Sequence, residues 1–527
     1  MLTFTSYPIC EEICTQYGIS VNGKKAEAVN VRVSAMPFNR LWPGSQRPAD
    51  QTETAAYISL ATDEDELSFC ITAQKSFGQA VVRPLYANII PKVEGNTVSF
   101  SAKAPGFYTL ELDGKHNALH IFIDPIRNYQ SPEEGVTLIS FPAGVHEIGH
   151  FELQSNTAVY IHRDAVVYGS FFAADAKNIR IFGEGVLDGS KYERTTKNFL
   201  LAYDYSRAPE NSWERKQMKS IADNRDSCFT DVNTYKNGSG TFIYRNREQF
   251  TRLLEITDPV QTGLSFYASE NITVEGLIFR NCAGLSITQA GCKNVHFNGI
   301  KVIGMWRYNS DGIDFYNCAD CSVKNSFLRT FDDTICVKGQ IGWDTRNSEN
   351  ILFEKCVLWN DWGHTMDIGI DTVAPEICNI TFRDCDCIHT TTTVIDVGNA
   401  DRAFIHDVVF ENIRVEYSRC NLRPTLQNSD DEVYTPEKFT PILIDLFLTC
   451  GDWSTDRIYG KIANVVFKDI AILSEEEISP EIRLMGHSGE NNIEGVVFEN
   501  VSINGKALKT PAELNISSNE FAEYSIL

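Results

Sequence analysis

The sequence predicts an all-β chain, a right-handed parallel β-helix preceded by an N-terminal β-sandwich-like domain. Three observations predict it. A nine-residue phrase recurs through the second half, each copy alternates at period two, and the first quarter breaks into short strands separated by turn residues.

The phrase reads NITVEGLIF from Asn271, NVHFNGIKV from Asn294, DCSVKNSFL from Asp320, NILFEKCVL from Asn350 and NITFRDCDC from Asn379. It continues as DVVFENIRV from Asp407, NVVFKDIAI from Asn464 and GVVFENVSI from Gly495. Copies follow each other at 23 to 31 residues, except for one step of 57, read as two turns with a missing copy near Pro441–Phe447. Positions two and four are apolar, as in Ile351 and Phe353, so each copy is a half-buried strand. Position six is Gly or polar, with Lys355 as the exception, which suits a bend before a second strand. One such strand pair cannot bury its own face, whereas stacked coils share a continuous core. Dominance of β-branched and aromatic residues at period two argues against a helical solenoid. Cys356 and Cys385 fall at one position on neighbouring coils and read as small apolar members of a ladder.

Upstream, AAYISLA, LSFCITA, AVVRPL, TVSFSAKA, FYTLEL and NALHIFID are strands of an all-β module over residues 1–133. The helix takes residues 134–527, beginning near Gly135, with an early coil at Asn178 (NIRIFGEGVLDG). A charged, less periodic insertion occupies about 190–263; with the segment Cys420–Lys438 it is a candidate wall that closes a groove at one end and favours exo-action.

The 527 residues carry 47 basic and 70 acidic side chains, a formal charge of −23. That balance argues against a nucleic-acid partner, and a polyanionic substrate would require a local basic pocket. No apolar run is long enough for a membrane span, the N-terminus lacks the pattern of a signal peptide, and fifteen cysteines in so long a chain read as reduced thiols. The expectation is a cytoplasmic chain without a membrane partner. His146-Glu147-Ile148-Gly149-His150 matches HExxH, yet Pro142, Gly144 and Gly149 argue against the helix that zinc chemistry needs. Cys318-x-x-Cys321 lacks a second pair, and no phosphate-cradling loop is evident, so neither metal nor cofactor is expected.

Three inter-repeat segments break the pattern with charge: YNSDGIDFYNC, RTFDDTICVKG and DWGHTMDIGID. Aligning Ile313, Ile335 and Met366 places Asp311, Asp333 and His364 at one position on three successive coils, with Asp332 in a strand-like run beside Asp333. Rungs stack about 4.8 Å apart, so the groups should form one cluster. Carboxylates forced together cannot all ionise; one becomes a proton donor while another activates water, which is the equipment for glycosidic hydrolysis. Trp306, Tyr308, Trp343, Trp359 and Trp362 crowd the same coils and offer platforms for sugar rings.

Asn309-Ser310-Asp311-Gly312, Asp332-Asp333 and Gly363-His364 resemble the NTDG, DD and GHG signatures of the polygalacturonase family, glycoside hydrolases on a right-handed β-helix. FPAG at Phe141 and GEGVLDG at Gly183 resemble that family's early coils. The resemblance implies an inverting hydrolase with a carbohydrate substrate. It makes Asp332 the general acid, Asp311 and Asp333 the pair that positions and deprotonates water, His364 a tuning group and Asn309 an orienting one. Two departures bear on substrate. Thr365 follows His364 where the family has Gly, and the Arg-Ile-Lys segment that grips a uronate carboxylate is replaced by TTTTVIDVGNADR, which offers Asp396. The sister dextranase and isopullulanase family also has a sandwich before its helix and handles neutral α-glucans; CIHT at Cys387 is similar to a stretch there. A neutral α-linked glycan is therefore the preferred substrate. Galacturonan cleavage, with basic residues from elsewhere such as Arg307, Lys338 or Arg402, a lyase or esterase on the same coil, and a non-catalytic glycan-binding helix are the alternatives.

Overall fold

The computed structural model describes residues 1–34, 52–129, 134–192, 262–307, 309–340, 343–424, 437–451 and 454–527. Most of the insertion, Tyr308 and much of Cys420–Lys438 thus lie outside the described residues. Within them, a six-stranded and a five-stranded sheet form the N-terminal sandwich, and thirty strands wind into one right-handed parallel β-helix. No helix there is long and apolar enough to cross a membrane.

Burial in the sandwich follows from its sequence. Glu66–Ala73 alternates exposed and buried residues, the signature of an outer sheet with one wet face. Thr52–Thr62 and Leu119–Pro125 are buried almost throughout. One face of their sheet meets the sandwich core through Ile58, Leu60, Leu119 and Ile121. The other face, through Val31, Val33, Tyr57 and Phe122, packs on Ile278, Ile303, Phe327 and Trp359 of the helix.

Helix strands run from Thr137–Phe141 to Ala522–Ile526. The phrase strands stack in parallel register, Ile351 on Ile380 and Ile380 on Val408. At position four the rings of Phe353, Phe382, Phe410, Phe467 and Phe498 stack with centroids 4.7 to 5.2 Å apart. Position six is a left-handed corner throughout, Lys355 included (φ 56°). So is position one: Asn271, Asn294, Asp320, Asn350, Asn379, Asp407 and Asn464 all have positive φ. Asn adopts that conformation at little cost, and the side chains form a ladder, with Asn271 Nδ2 donating to Asn178 Oδ1 at 3.1 Å and Asn294 Nδ2 to Asn271 Oδ1 at 2.8 Å.

The 57-residue step differs from the two-turn reading. Val408 pairs directly with Val465, so the step is a single coil enlarged by a long excursion. Ile442–Leu448 is a strand of that coil's other sheet, between Thr393–Asn399 and Ile482–Met485. His146 and His150 lie on the strand Gly144–Glu152, where they bond Pro142 O at 2.7 Å and Ser170 Oγ at 2.6 Å. The fourteen described cysteines are free thiols.

Candidate active site

The site forms at one corner of the helix, where three turns enter successive strands of one sheet. Ile313 pairs with Ile335 and Ile335 with Met366, so Asp311, Asp333 and His364 share one register position. Backbone bonds tie the turns together: Gly312 N donates to Asp333 O at 2.8 Å, and Thr334 N to His364 O at 2.9 Å. Asp332 and Asp333 occupy the turn between Phe327–Thr330 and Ile335–Gly339 rather than a strand-like run. Two side chains brace that turn, Thr330 Oγ1 and Asn360 Nδ2, each donating to Asp332 O at 2.7 Å. Gly363 opposes it across the next rung. A Cβ there would lie 2.5 Å from Asp332 Oδ1 and 2.6 Å from both Asp333 N and Asp333 Oδ1.

Lys338 is the central cation. Its Nζ lies 3.4 Å from Asp311 Oδ2, 3.2 Å from Asp314 Oδ1 and 3.2 Å from Asp333 Oδ2. Asp311 and Asp333 are thereby held within twice the longer of those distances. In the sequence Lys338 stands out only as a candidate ligand for a substrate carboxylate. Its position could be read from the alternation, because Ile335 and Val337 fill the core and turn Cys336 and Lys338 outward.

The carboxyls differ in proton affinity. Burial and the charge of Asp333 push Asp332 up to about 7, against the pull of Lys338, His364 and the Asn309 backbone N–H. Burial would raise Asp333 too, but Lys338, His364 and the His364 backbone N–H outweigh it and hold this carboxyl below its ordinary value. His364 N donates to Asp333 Oδ1 at 2.9 Å. Burial, then Asp314, raise Asp311 well above the carboxylate range. Burial disfavours the His364 cation, yet Asp396, Asp333 and Asp332 overcome this and raise its pKa. Asp396, in register with Asp367, is pushed up to about 7 by burial.

Solvent reaches part of this cluster. The side chains of His364 and Asp333 are 37% and 17% exposed, and Asp332 is half-buried, while Asp311, Asp314, Asp367 and Asp396 are buried. Trp362 is half-buried and stacks on Phe331, the residue before Asp332, with centroids 5.9 Å apart. The other described tryptophans are not open platforms. Trp306 is buried with the Arg32 and Arg307 guanidiniums over its ring, Trp343 packs against Tyr316 and Phe172, and Trp359 sits in the interface with the sandwich. Asn309 holds the left-handed conformation (φ 52°) that turns its N–H toward Asp332.

The family model for glycosyl hydrolases family 28 matches residues 238–422, the stretch that carries all three motifs. Over that stretch the chain is similar to the polygalacturonase-like glycoside hydrolases. A curated relative, an exo-poly-α-D-galacturonosidase from Dickeya chrysanthemi, is 21% identical over 72% of this chain. The chain spans 64% of that relative's length. Among solved structures, Dex49A from Penicillium minioluteum aligns over 99% of this chain and 96% of its own, at 13% identity and a TM-score of 0.62. A hyperthermoactive exopolygalacturonase from Thermotoga maritima aligns over 75% of this chain and 84% of its own, at 16% identity and a TM-score of 0.51. At those identities the two structures speak for the fold.

Proposed function

We propose that the chain is an inverting glycoside hydrolase acting on an α-linked oligo- or polysaccharide, with a neutral glycan of the dextran or α-glucan kind as preferred substrate. The observation that carries the chemistry is the gathering of Asp311, Asp332 and Asp333 at one partly open corner, where Lys338 and His364 contact Asp333 and not Asp332. Asp332 keeps a proton near neutral pH and delivers it to the leaving oxygen. Asp333, ionised beside Lys338 and His364, removes the proton from water, and Asp311 helps to hold that water. Trp362 offers its face to a sugar ring.

The preference for a neutral substrate is supported by what has become of the candidate cations. Lys338 is committed to three carboxylates, Arg402 to Asp344 and Asp456, and Arg307 to the carbonyls of Asn281 and Cys282. The next coil presents buried Asp396, with Asp445 stacked on it. A uronate there would face these carboxyls, and Arg483 beside them is already paired with Asp445. Galacturonan remains the second substrate reading, favoured by the activity named for the Dickeya relative.

Stereochemistry has a rival reading of its own. Inverting pairs usually stand about 6.5–9.5 Å apart and retaining pairs about 5–5.5 Å. The facing Oδ1 atoms of Asp332 and Asp333 both lie within 2.6 Å of one point, which favours the shorter span. A glycan panel with the first-formed anomer read by proton NMR tests all of this. Inverted product from a neutral α-glucan is the expected result. Retention would recast Asp333 as nucleophile, turnover of galacturonan alone would overturn the substrate preference, and turnover of neither would favour a binding protein.

A further inference from the structure

A second constellation lies on the sheet of the repeated phrase. Cys378 and His406 face each other across adjacent rungs. Their neighbours Ile377 and Ile405 fill the core, so alternation turns Cys378 and His406 to the outer face, where Glu376 joins them. One ligand atom from each residue lies within 4.8 Å of the others, and Glu376 Oε2 is 4.0 Å from His406 Nε2. The imidazole is held from behind, with Nδ1 2.8 Å from Asp407 Oδ2. That bond places the proton on Nδ1 and leaves a lone pair on Nε2, which is buried without a hydrogen-bond partner. A carboxylate that fixes an imidazole so its other nitrogen points at an ion is the usual support of a metal-bound histidine. A buried nitrogen with nothing to bond otherwise calls for an explanation.

We propose that Glu376, Cys378 and His406 bind a divalent ion of the zinc class. An ion centred among atoms no more than 4.8 Å apart sits at most about 2.8 Å from each, and small side-chain rotations close that to the ~2.0–2.3 Å of zinc ligands. Glu349, opposite Cys378 on the preceding rung, offers a fourth ligand. A bound dication takes the Cys378 sulfur as thiolate, with the thiol proton released to solvent. The three residues escaped motif reasoning because Cys378 and His406, far apart in sequence, are one rung apart in space.

Cobalt(II) and zinc(II), each added alone to the full chain, test the proposal. One cobalt per chain should produce a sulfur-to-cobalt charge-transfer band that zinc abolishes by displacement, and zinc should raise the Tm. Cys378→Ser should remove the band and weaken zinc binding at least tenfold. Asp407→Asn should keep the band and weaken binding about 10–100-fold. Absence of the band in the parent overturns the site, and so does a band with unchanged affinity in Cys378→Ser, which would assign the metal to other thiols such as exposed Cys10 or Cys70.

Discussion

Asp332 and Asp333 are adjacent copies of one side chain, and their surroundings shift their proton affinities in opposite directions, on which the proposed roles rest. Removing the donor should cost the rate a general acid supplies, so Asp332→Asn should lose about 10²–10⁴-fold in kcat/KM. In the parent, kcat/KM should fall as pH rises through about 7, where Asp332 gives up its proton. The same shift bears on stability. A carboxyl whose folded pKa exceeds its unfolded value binds more protons folded than unfolded, so it contributes most below the unfolded pKa and loses that contribution as pH climbs through the folded one. Asp332→Asn should therefore raise the Tm at pH 8, and the gain should vanish near pH 4; an equal gain at both pH values would remove the assigned shift. Lys338 acts through Asp333. In Lys338→Met, Asp333 loses the cation that holds its pKa down, and the acidic limb of the pH–rate profile should move to higher pH. A uniform loss of rate with an unmoved limb would leave Lys338 a purely structural role.

At the scale of elements, the turns do the positioning, and they were read unevenly in the sequence. Alternation at positions two and four identified the strands, because burial of one sheet face leaves a period-two trace in residue type. The register of Asp311, Asp333 and His364 followed from aligning the apolar residues after them, since inward side chains must stack. The left-handed Asn corner at position one passed unnoticed, because one Asn per repeat looks like any polar boundary until the ladder Asn178–Asn271–Asn294 is seen in space. A step of 57 residues does not count turns, because residues in an excursion add length without adding a rung. The aromatic residues were misplaced for a related reason: composition puts Trp306 and Trp359 near the site but cannot say that the sandwich covers them. Gly363 shows how tightly one turn is set. With a Cβ at 2.5–2.6 Å from the carboxyl oxygens of Asp332 and Asp333, Gly363→Ala should, on the proposed roles, abolish measurable turnover while far-UV circular dichroism stays that of the parent. Parent-like kinetics in that variant would mean that the turn yields easily.

Across the whole molecule, the sandwich and the β-helix are joined by apolar packing threaded with buried ion pairs. Arg280 of the helix reaches Glu11 of the sandwich at 2.6 Å and Asp188 of its own coil at 2.5 Å. Arg83 of the sandwich pairs with Glu111 at 2.9 Å and Glu416 at 2.5 Å, and Lys301 pairs with Asp124 at 2.5 Å. These side chains are almost wholly shielded from water, and a buried charge stripped of its partner has no solvent to fall back on. Arg280→Ala leaves Glu11 and Asp188 facing each other without their cation, so it should destabilise the chain by about 3–5 kcal/mol in urea unfolding. Pairing it with Glu11→Gln should recover part of the loss, because one stranded charge is then gone. The interface also bears on the site, since Phe327 and Trp359 beneath the sandwich belong to the strands that lead into the Asp332 and Gly363 turns. Loosening the interface should therefore lower kcat/KM before the chain unfolds, and activity that persists undiminished until global unfolding would show that the helix holds its turns unaided.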